Sequence, residues 1–146
     1  MNAEQHYLAL AQMYLAAPIN AFYQPTIAIS QGHAVITIEL HEKFHHAAGA
    51  VHGSVYFKLL DDAAFFAVNS LEYEVFVLTT AFTTYLTRPV SSGTLRAEGR
   101  VVNQNKSQFI VEAVVYDSEN REVGRGSGLF VRGKLPLKKA LGYATK

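Results

Sequence analysis

The sequence predicts an α+β fold in which an antiparallel sheet of about six strands wraps around one buried helix, with an extra helix at the N-terminus. Three observations lead there. Residues 51–70 are Val, Tyr, Phe, Leu and Ala nearly all round, broken among charges only by Lys58, Asp61 and Asp62, and residues 54–68 contain no Gly or Pro. A segment that long and apolar on almost every face is a buried helix rather than a strand. Runs with strand character lie on both sides of it, several with two-residue alternation. One face of the resulting sheet is apolar and must be covered, and only the 51–70 helix is apolar enough to cover it. The order is β-β-α-β-β-β-β.

The elements follow in turn. Ala3 to Ala16 reads as an amphipathic helix: Tyr7, Leu10, Ala11, Tyr14 and Leu15 recur at helical spacing, and Pro18 ends it. Ile27 and Ile29 alternate up to the turn Ser30-Gln31-Gly32. Ala34, Ile36, Ile38 and Leu40 then point one way, and His33, Thr37, Glu39 and His41 the other, which makes a half-buried hairpin. Four strand-like runs follow the helix, at Val75–Thr87, Leu95–Asn103, Ser107–Asp117 and Glu122–Arg132. Ser91-Ser92-Gly93, Gln104-Asn105 and Ser118-Glu119-Asn120 separate them as turn-formers. Leu95, Ala97, Gly99 and Val101 face inward in one run, and Phe109, Val111, Ala113 and Val115 in the next.

Composition bounds the rest. The chain has 146 residues, 49% hydrophobic and only 17% charged, which excludes disorder and suits one domain burying roughly 70% of its unfolded surface. No repeat, linker or low-complexity block divides residues 1–146. Low charge also hints at apolar surface hidden by self-association. With no cysteine, disulfides, thiolate zinc sites and cysteine nucleophiles are excluded. Tyr7 to Ala17 is apolar, but Glu4 precedes it without Lys or Arg and Gln12 interrupts it, unlike a signal peptide. No stretch of about 20 residues is free of charge, so no spanning helix is expected, and the expected compartment is the cytoplasm.

The net charge of +1 conceals an asymmetry. Arg132, Lys134, Lys138, Lys139 and Lys146 stand without an acid near the C-terminus, while residues 1–131 are net acidic. The basic tail, residues 134–146, is expected to be solvated and frayed. No basic face interleaved with aromatics suggests nucleic acid.

Chemistry concentrates around the buried helix. His41, His45, His46 and His52 cluster before it, but no spacing resembles a zinc pattern such as HExxH, so no metal is expected. Gly49 to Ser54 opens the helix, where unpaired N–H groups suit an anion or a carbonyl oxygen gaining charge. Gly53 admits a ligand close to its backbone; alternatively Ser54 caps the helix and Gly53 relieves crowding. Asp61 and Asp62 lie two turns in, where an unpaired carboxylate is expensive. Lys58 is at neighbour spacing to both. One aspartate is therefore an ion-pair member and the other a candidate base or nucleophile, and spacing does not choose between them. Gly124-Arg125-Gly126-Ser127-Gly128 looks like a phosphate loop, but it sits in a strand with no helix following, so close backbone packing explains it better.

The run His46-Ala47-Ala48-Gly49-Ala50-Val51-His52-Gly53-Ser54, followed by Asp61, resembles the pattern N-x-x-G-x-x-H-G-G with an acid nine residues after the histidine. That pattern belongs to hotdog-fold acyl-CoA thioesterases of the phenylacetate-degradation (PaaI-like) type. The resemblance covers residues 25–133, the expected hotdog core, and includes the strand end Tyr85-Leu86-Thr87-Arg88-Pro89. It implies hydrolysis of an acyl-CoA to free acid and CoA, with no metal or redox cofactor. Gly53 would donate its N–H to the thioester carbonyl as the oxyanion hole. Asp61 would be general base or nucleophile, leaving Asp62 to Lys58, and Thr79, 18 residues beyond Asp61, would help hold the attacking water. His52 would mainly fix the turn into the helix. The site would form between two subunits of a homodimer, with assembly as a dimer of dimers expected.

Two positions depart from the family pattern. His46 stands for its Asn, a bulkier side chain still able to donate a hydrogen bond to the carbonyl. Ser54 stands for its second Gly and either narrows the acyl slot or reshapes the turn. Phe57, Phe65 or Tyr56 is expected to line that slot, and Arg88 and the basic tail to meet the coenzyme phosphates. Two other readings compete: a non-catalytic acyl-CoA-binding module using the same groove, and a hydratase or dehydratase, whose motif is missing.

Overall fold

A computed structural model of the chain describes residues 1–143; Lys146 of the basic tail lies outside them. Helix α1, Ala3–Ala16, begins with a reciprocal cap in which the Asn2 side chain accepts from the Gln5 amide and the Gln5 side chain accepts from the Asn2 amide. A short helix α2, Asn20–Tyr23, follows Pro18 and had no counterpart in the sequence pattern. Strands β1, Thr26–Ser30, and β2, His33–Glu39, form the expected hairpin around Gly32, whose φ of +67° suits glycine. Central helix α3 spans Gly53–Asn69. Strands β3 (Val75–Leu86), β4 (Thr94–Gln104), β5 (Phe109–Tyr116) and β6 (Glu122–Pro136) complete a six-stranded sheet in the order β1-β2-β4-β5-β6-β3, antiparallel throughout.

The inward faces are those the alternation predicts. Ile36, Ile38, Leu95, Ala97, Phe109, Val111 and Val115 are buried against α3 residues such as Leu59, Leu60 and Ala63. At Gly99 the helix and sheet touch, since a Cβ there would lie 2.4 Å from the Ala63 carbonyl oxygen. The Gly124–Gly128 run is close packing of this kind, because Phe82 of β3 lies over it: a Cβ on Gly126 would meet the Phe82 ring at 2.4 Å. No helix among the described residues is long and apolar enough to cross a membrane.

Four expectations change. The buried face of α1 is His6, Ala9, Leu10, Met13 and Tyr14, while Leu15 is 55% exposed. The helix turns this way because His6 and Tyr14 have polar partners on α3, which hydrophobicity alone does not register. Second, α3 is not buried all round: the flank carrying Phe57, Asp61 and Phe65 stays partly open. Third, His52 rather than Ser54 caps α3, its Nδ1 accepting from the Ser54 amide at 3.1 Å. Finally, the tail is not frayed as far as it is described. Strand β6 runs on to Pro136, Leu137 and Tyr143 are buried, and the Tyr143 hydroxyl bonds His6 Nδ1 at 2.7 Å. The aromatic and aliphatic side chains among the lysines supply the burial that a count of charges misses.

Candidate functional site

Spacing of four residues puts Gly53, Phe57, Asp61 and Phe65 on one ridge of α3. The ridge runs antiparallel to β3, and each of its residues meets one from that strand. A Cβ on Gly53 would lie 2.9 Å from Leu86 Cδ1, and the Phe57 ring packs edge-on to Phe82 at 5.6 Å. The Thr79 hydroxyl donates to Asp61 Oδ1 at 2.8 Å, and the Phe65 and Phe76 rings are 4.9 Å apart. Because β3 ends the sheet, this ridge borders an edge whose residues Leu78, Thr79, Thr80 and Ala81 are all exposed.

The two aspartates separate cleanly. Lys58 Nζ bonds Asp62 Oδ2 at 2.5 Å, and the Tyr14 hydroxyl of α1 donates to the same oxygen at 2.8 Å. The Lys58 ammonium also lies 5.4 Å from the Tyr14 ring centre and 4.9 Å from that of Tyr23. Asp62 is thus committed to structure, and Lys58 with it. Among the described residues Asp61 keeps only the Thr79 hydroxyl. Burial pushes its pKa above the ordinary 3.8, the Thr79 bond pulls against that, the Asp62 charge adds to the rise, and Lys58 opposes it. A carboxylate held so is a stronger base than a free aspartate.

At the other end of the ridge, His46, Gly53, Tyr56, Leu86 and Arg88 line a cleft of about 310 Å³. The Gly53 amide is the first of α3 and so belongs to the N–H groups a helix leaves without an internal acceptor. Tyr56 is anchored by its hydroxyl, which donates to the Arg88 carbonyl at 2.9 Å. His46 Nδ1 accepts from the Ala48 amide at 3.1 Å, which in the neutral ring leaves Nε2 as the donor. Ser54 lies beside the cleft, its hydroxyl 2.8 Å from His52 Nδ1.

The structure therefore gathers the named residues into two groups. His46, Gly53 and Arg88 share the cleft, Asp61 and Thr79 share a hydrogen bond, and Phe57 bridges the ridge between them. His45, by contrast, bonds the Ser91 carbonyl. Arg88 and the basic tail are not brought together within one chain, since Leu137 bonds the Glu74 carbonyl near the far end of α3. Sequence reasoning missed Tyr14, whose helical periodicity announces burial but not its bond to Asp62.

Comparison with known proteins gives the family and the fold. Residues 48–124 match the family model described as the thioesterase superfamily. A Saccharolobus solfataricus protein whose name assigns it provisionally to the esterases is 24% identical over 103 residues, 70% of this chain and 69% of its own. The structure of the Escherichia coli PaaI protein from the phenylacetic acid degradation operon is similar at a TM-score of 0.83 and 21% identity, covering 92% of this chain and 97% of that one. A thioesterase from Haemophilus influenzae is similar at a TM-score of 0.76 and 16% identity, with 85% and 88% covered. The two structural likenesses establish the hotdog fold.

Proposed function

The chain belongs to the thioesterase superfamily, and from that premise we propose that it hydrolyses an acyl-CoA to free acid and CoA in a site built by two copies of the chain. One observation carries the reading. Gly53 and Asp61 are eight residues apart on α3, a rise of about 12 Å, so one carbonyl cannot meet both within a single chain. Pairing through the β3 edge, with its exposed Leu78, Tyr85 and Leu86, would bring Gly53 of one protomer to Asp61 of its partner and cover this apolar surface.

In this reading Asp61 takes a proton from water as the water attacks the thioester carbon. The Gly53 amide and the His46 Nε2–H receive the negative charge forming on the carbonyl oxygen. The tetrahedral intermediate collapses, the C–S bond breaks, and the thiolate leaves; it takes the proton held by Asp61 to become the CoA thiol, which restores the carboxylate as the acid is released. Thr79 orients the Asp61 carboxylate, and His52 and Ser54 hold the turn that presents Gly53. Arg88, on the cleft rim, is the candidate for a coenzyme phosphate.

Thiol release from a panel of acyl-CoAs tests the reading. Turnover on some chains that falls about 10²–10⁴-fold in Asp61→Asn supports it. Binding without release from any chain would favour the non-catalytic module instead. Single turnover in ¹⁸O-water separates base from nucleophile: label in the free acid is expected, and label first in Asp61 would mean a mixed anhydride.

A further inference from the structure

The ridge of α3 has a midpoint. Phe57 stands four residues after Gly53 and four before Asp61. An isologous pair joins residue i to j and j to i. If Gly53 of each copy faces Asp61 of the other, the two helices run antiparallel about Phe57, and the two-fold axis passes that residue. Strand β3 has the same symmetry. Leu86 lies over Gly53 and Thr79 bonds Asp61, so the midpoint of the strand falls between Phe82 and Thr83. The structure puts the two midpoints in contact, the Phe57 ring edge-on to Phe82 with 5.6 Å between centres. One axis therefore serves both helix and strand.

The glycine run of β6 sets the position of Phe82. A Cβ on Gly126 would lie 2.4 Å from Phe82 Cε1, and one on Gly128 2.6 Å from Cδ2, so only glycines let this ring sit so close to the strand. Phe57 rests on Phe82 and is still 41% exposed. Its neighbours along the ridge, Gly53 and Asp61, supply no apolar cover. Helices packed about 10 Å apart, with Cα atoms about 2.3 Å from each axis, bring facing Cα atoms to about 5.5 Å. At the two-fold axis, what faces Phe57 is its own copy.

We infer that Phe57 and the Phe57 of a second copy meet across the axis and close the inner ends of both acyl slots, so that Phe57 limits the acyl group to a short chain. The inference rests on the two-copy thioesterase reading and adds the size of the substrate. In that reading the coenzyme lies outward, toward His46 and Arg88 in the cleft, so the acyl chain runs the other way, past Gly53 toward the axis. Gly53 to Phe57 is a rise of about 6 Å, room for about five carbons joined by bonds of about 1.5 Å. A longer chain meets the Phe57 pair.

The chain has no cysteine, so Phe57→Cys carries a single thiol, and only a residue at the axis pairs with itself. Oxidation is expected to convert most of Phe57→Cys to a disulfide-linked dimer, since the facing Cα atoms fall within the disulfide range of about 4.4–6.8 Å. Phe65→Cys, eight residues further along α3 and so about 24 Å from its copy, should remain unlinked on the same non-reducing gel. Chain length gives a second readout. In the wild-type protein kcat/KM for thiol release should fall at least about tenfold from butanoyl-CoA to dodecanoyl-CoA, and in Phe57→Ala the dodecanoyl-to-butanoyl ratio should rise at least about tenfold, the scale of one methylene's fit in an apolar pocket. The cross-link needs no activity, so it decides even where Phe57→Ala fails to fold. No linked Phe57→Cys from a protein that sediments as a dimer, a wild type as fast on dodecanoyl as on butanoyl, or an unmoved ratio in folded Phe57→Ala overturns the proposal and leaves the thioesterase reading intact. A protein that sediments as a monomer, or no thiol from any acyl-CoA, overturns that reading and the proposal with it.

Discussion

Asp61 is a carboxylate the fold holds at a disadvantage. Its pKa lies above the ordinary 3.8, chiefly through burial, so the folded chain binds this proton more tightly than the unfolded chain. From about pH 3.8 upward through the raised value, stability therefore falls as pH rises. Asp61→Asn removes that liability while keeping an acceptor for Thr79. The expected result at neutral pH is a Tm equal to or above wild type alongside the loss of turnover, and a lower Tm would mean Asp61 is structural. A base must be deprotonated, so turnover should fall as pH drops through the raised pKa. Thr79→Val deletes the bond that pulls this pKa down, so the acid limb of the kcat/KM profile should move to higher pH. An unmoved limb would dissociate Thr79 from the base.

Helix α3 decides most at the element scale. His52 precedes it with φ −60° and ψ 140°, a conformation that proline accepts in the residue before it. Proline is also favoured at the first helical position, whose N–H has no helical acceptor. Gly53→Pro therefore deletes the proposed oxyanion donor without changing the backbone path; its Cβ displaces the Leu86 side chain, which would lie 2.9 Å away, and Gly53→Ala, which keeps the N–H, is the control for that shift. Thiol release should fall about 10²–10³-fold with far-ultraviolet circular dichroism unchanged; undiminished release would remove Gly53 from the mechanism. The helix was legible because its composition is extreme, and its neighbour strands because alternation marks their faces. Spacing alone left open whether Asp61 or Asp62 partners Lys58, and only the family resemblance pointed to Asp62; the structure pairs Asp62 and adds Tyr14, 48 residues from it in sequence, to the same oxygen.

Across the whole molecule, the proposed two-chain site makes a quantitative prediction. Mixing the inactive Gly53→Pro and Asp61→Asn chains under conditions that exchange protomers should restore about a quarter of wild-type activity, since half the dimers are mixed and each holds one intact site. No recovery despite exchange would place the site within one chain. The N- and C-terminal segments meet at His6, whose Nε2 lies 2.7 Å from the Asn69 carbonyl and whose Nδ1 bonds Tyr143. Burial holds the His6 pKa below 6.5 against the pull of neighbouring acceptors. The unfolded chain then binds that proton more readily, so stability should be complete above pH 6.5 and decline as pH falls through the lowered value. Tm measured across this range should show that slope, and His6→Gln, which can keep both hydrogen bonds, should flatten it.

From sequence alone came the α+β class, the strand faces, the buried helix, and the motif around Gly53 and Asp61. All of these rest on short-range signals: periodicity, turn residues and spacing along one helix. Only the tertiary structure decided that Tyr14 joins Lys58 on Asp62, that α1 turns His6 and Tyr14 inward, and that the tail is anchored through Tyr143. Each of these joins residues far apart in the chain through hydrogen bonds or packing. Such pairings leave no period in a single sequence, so they become visible only when the chain is folded.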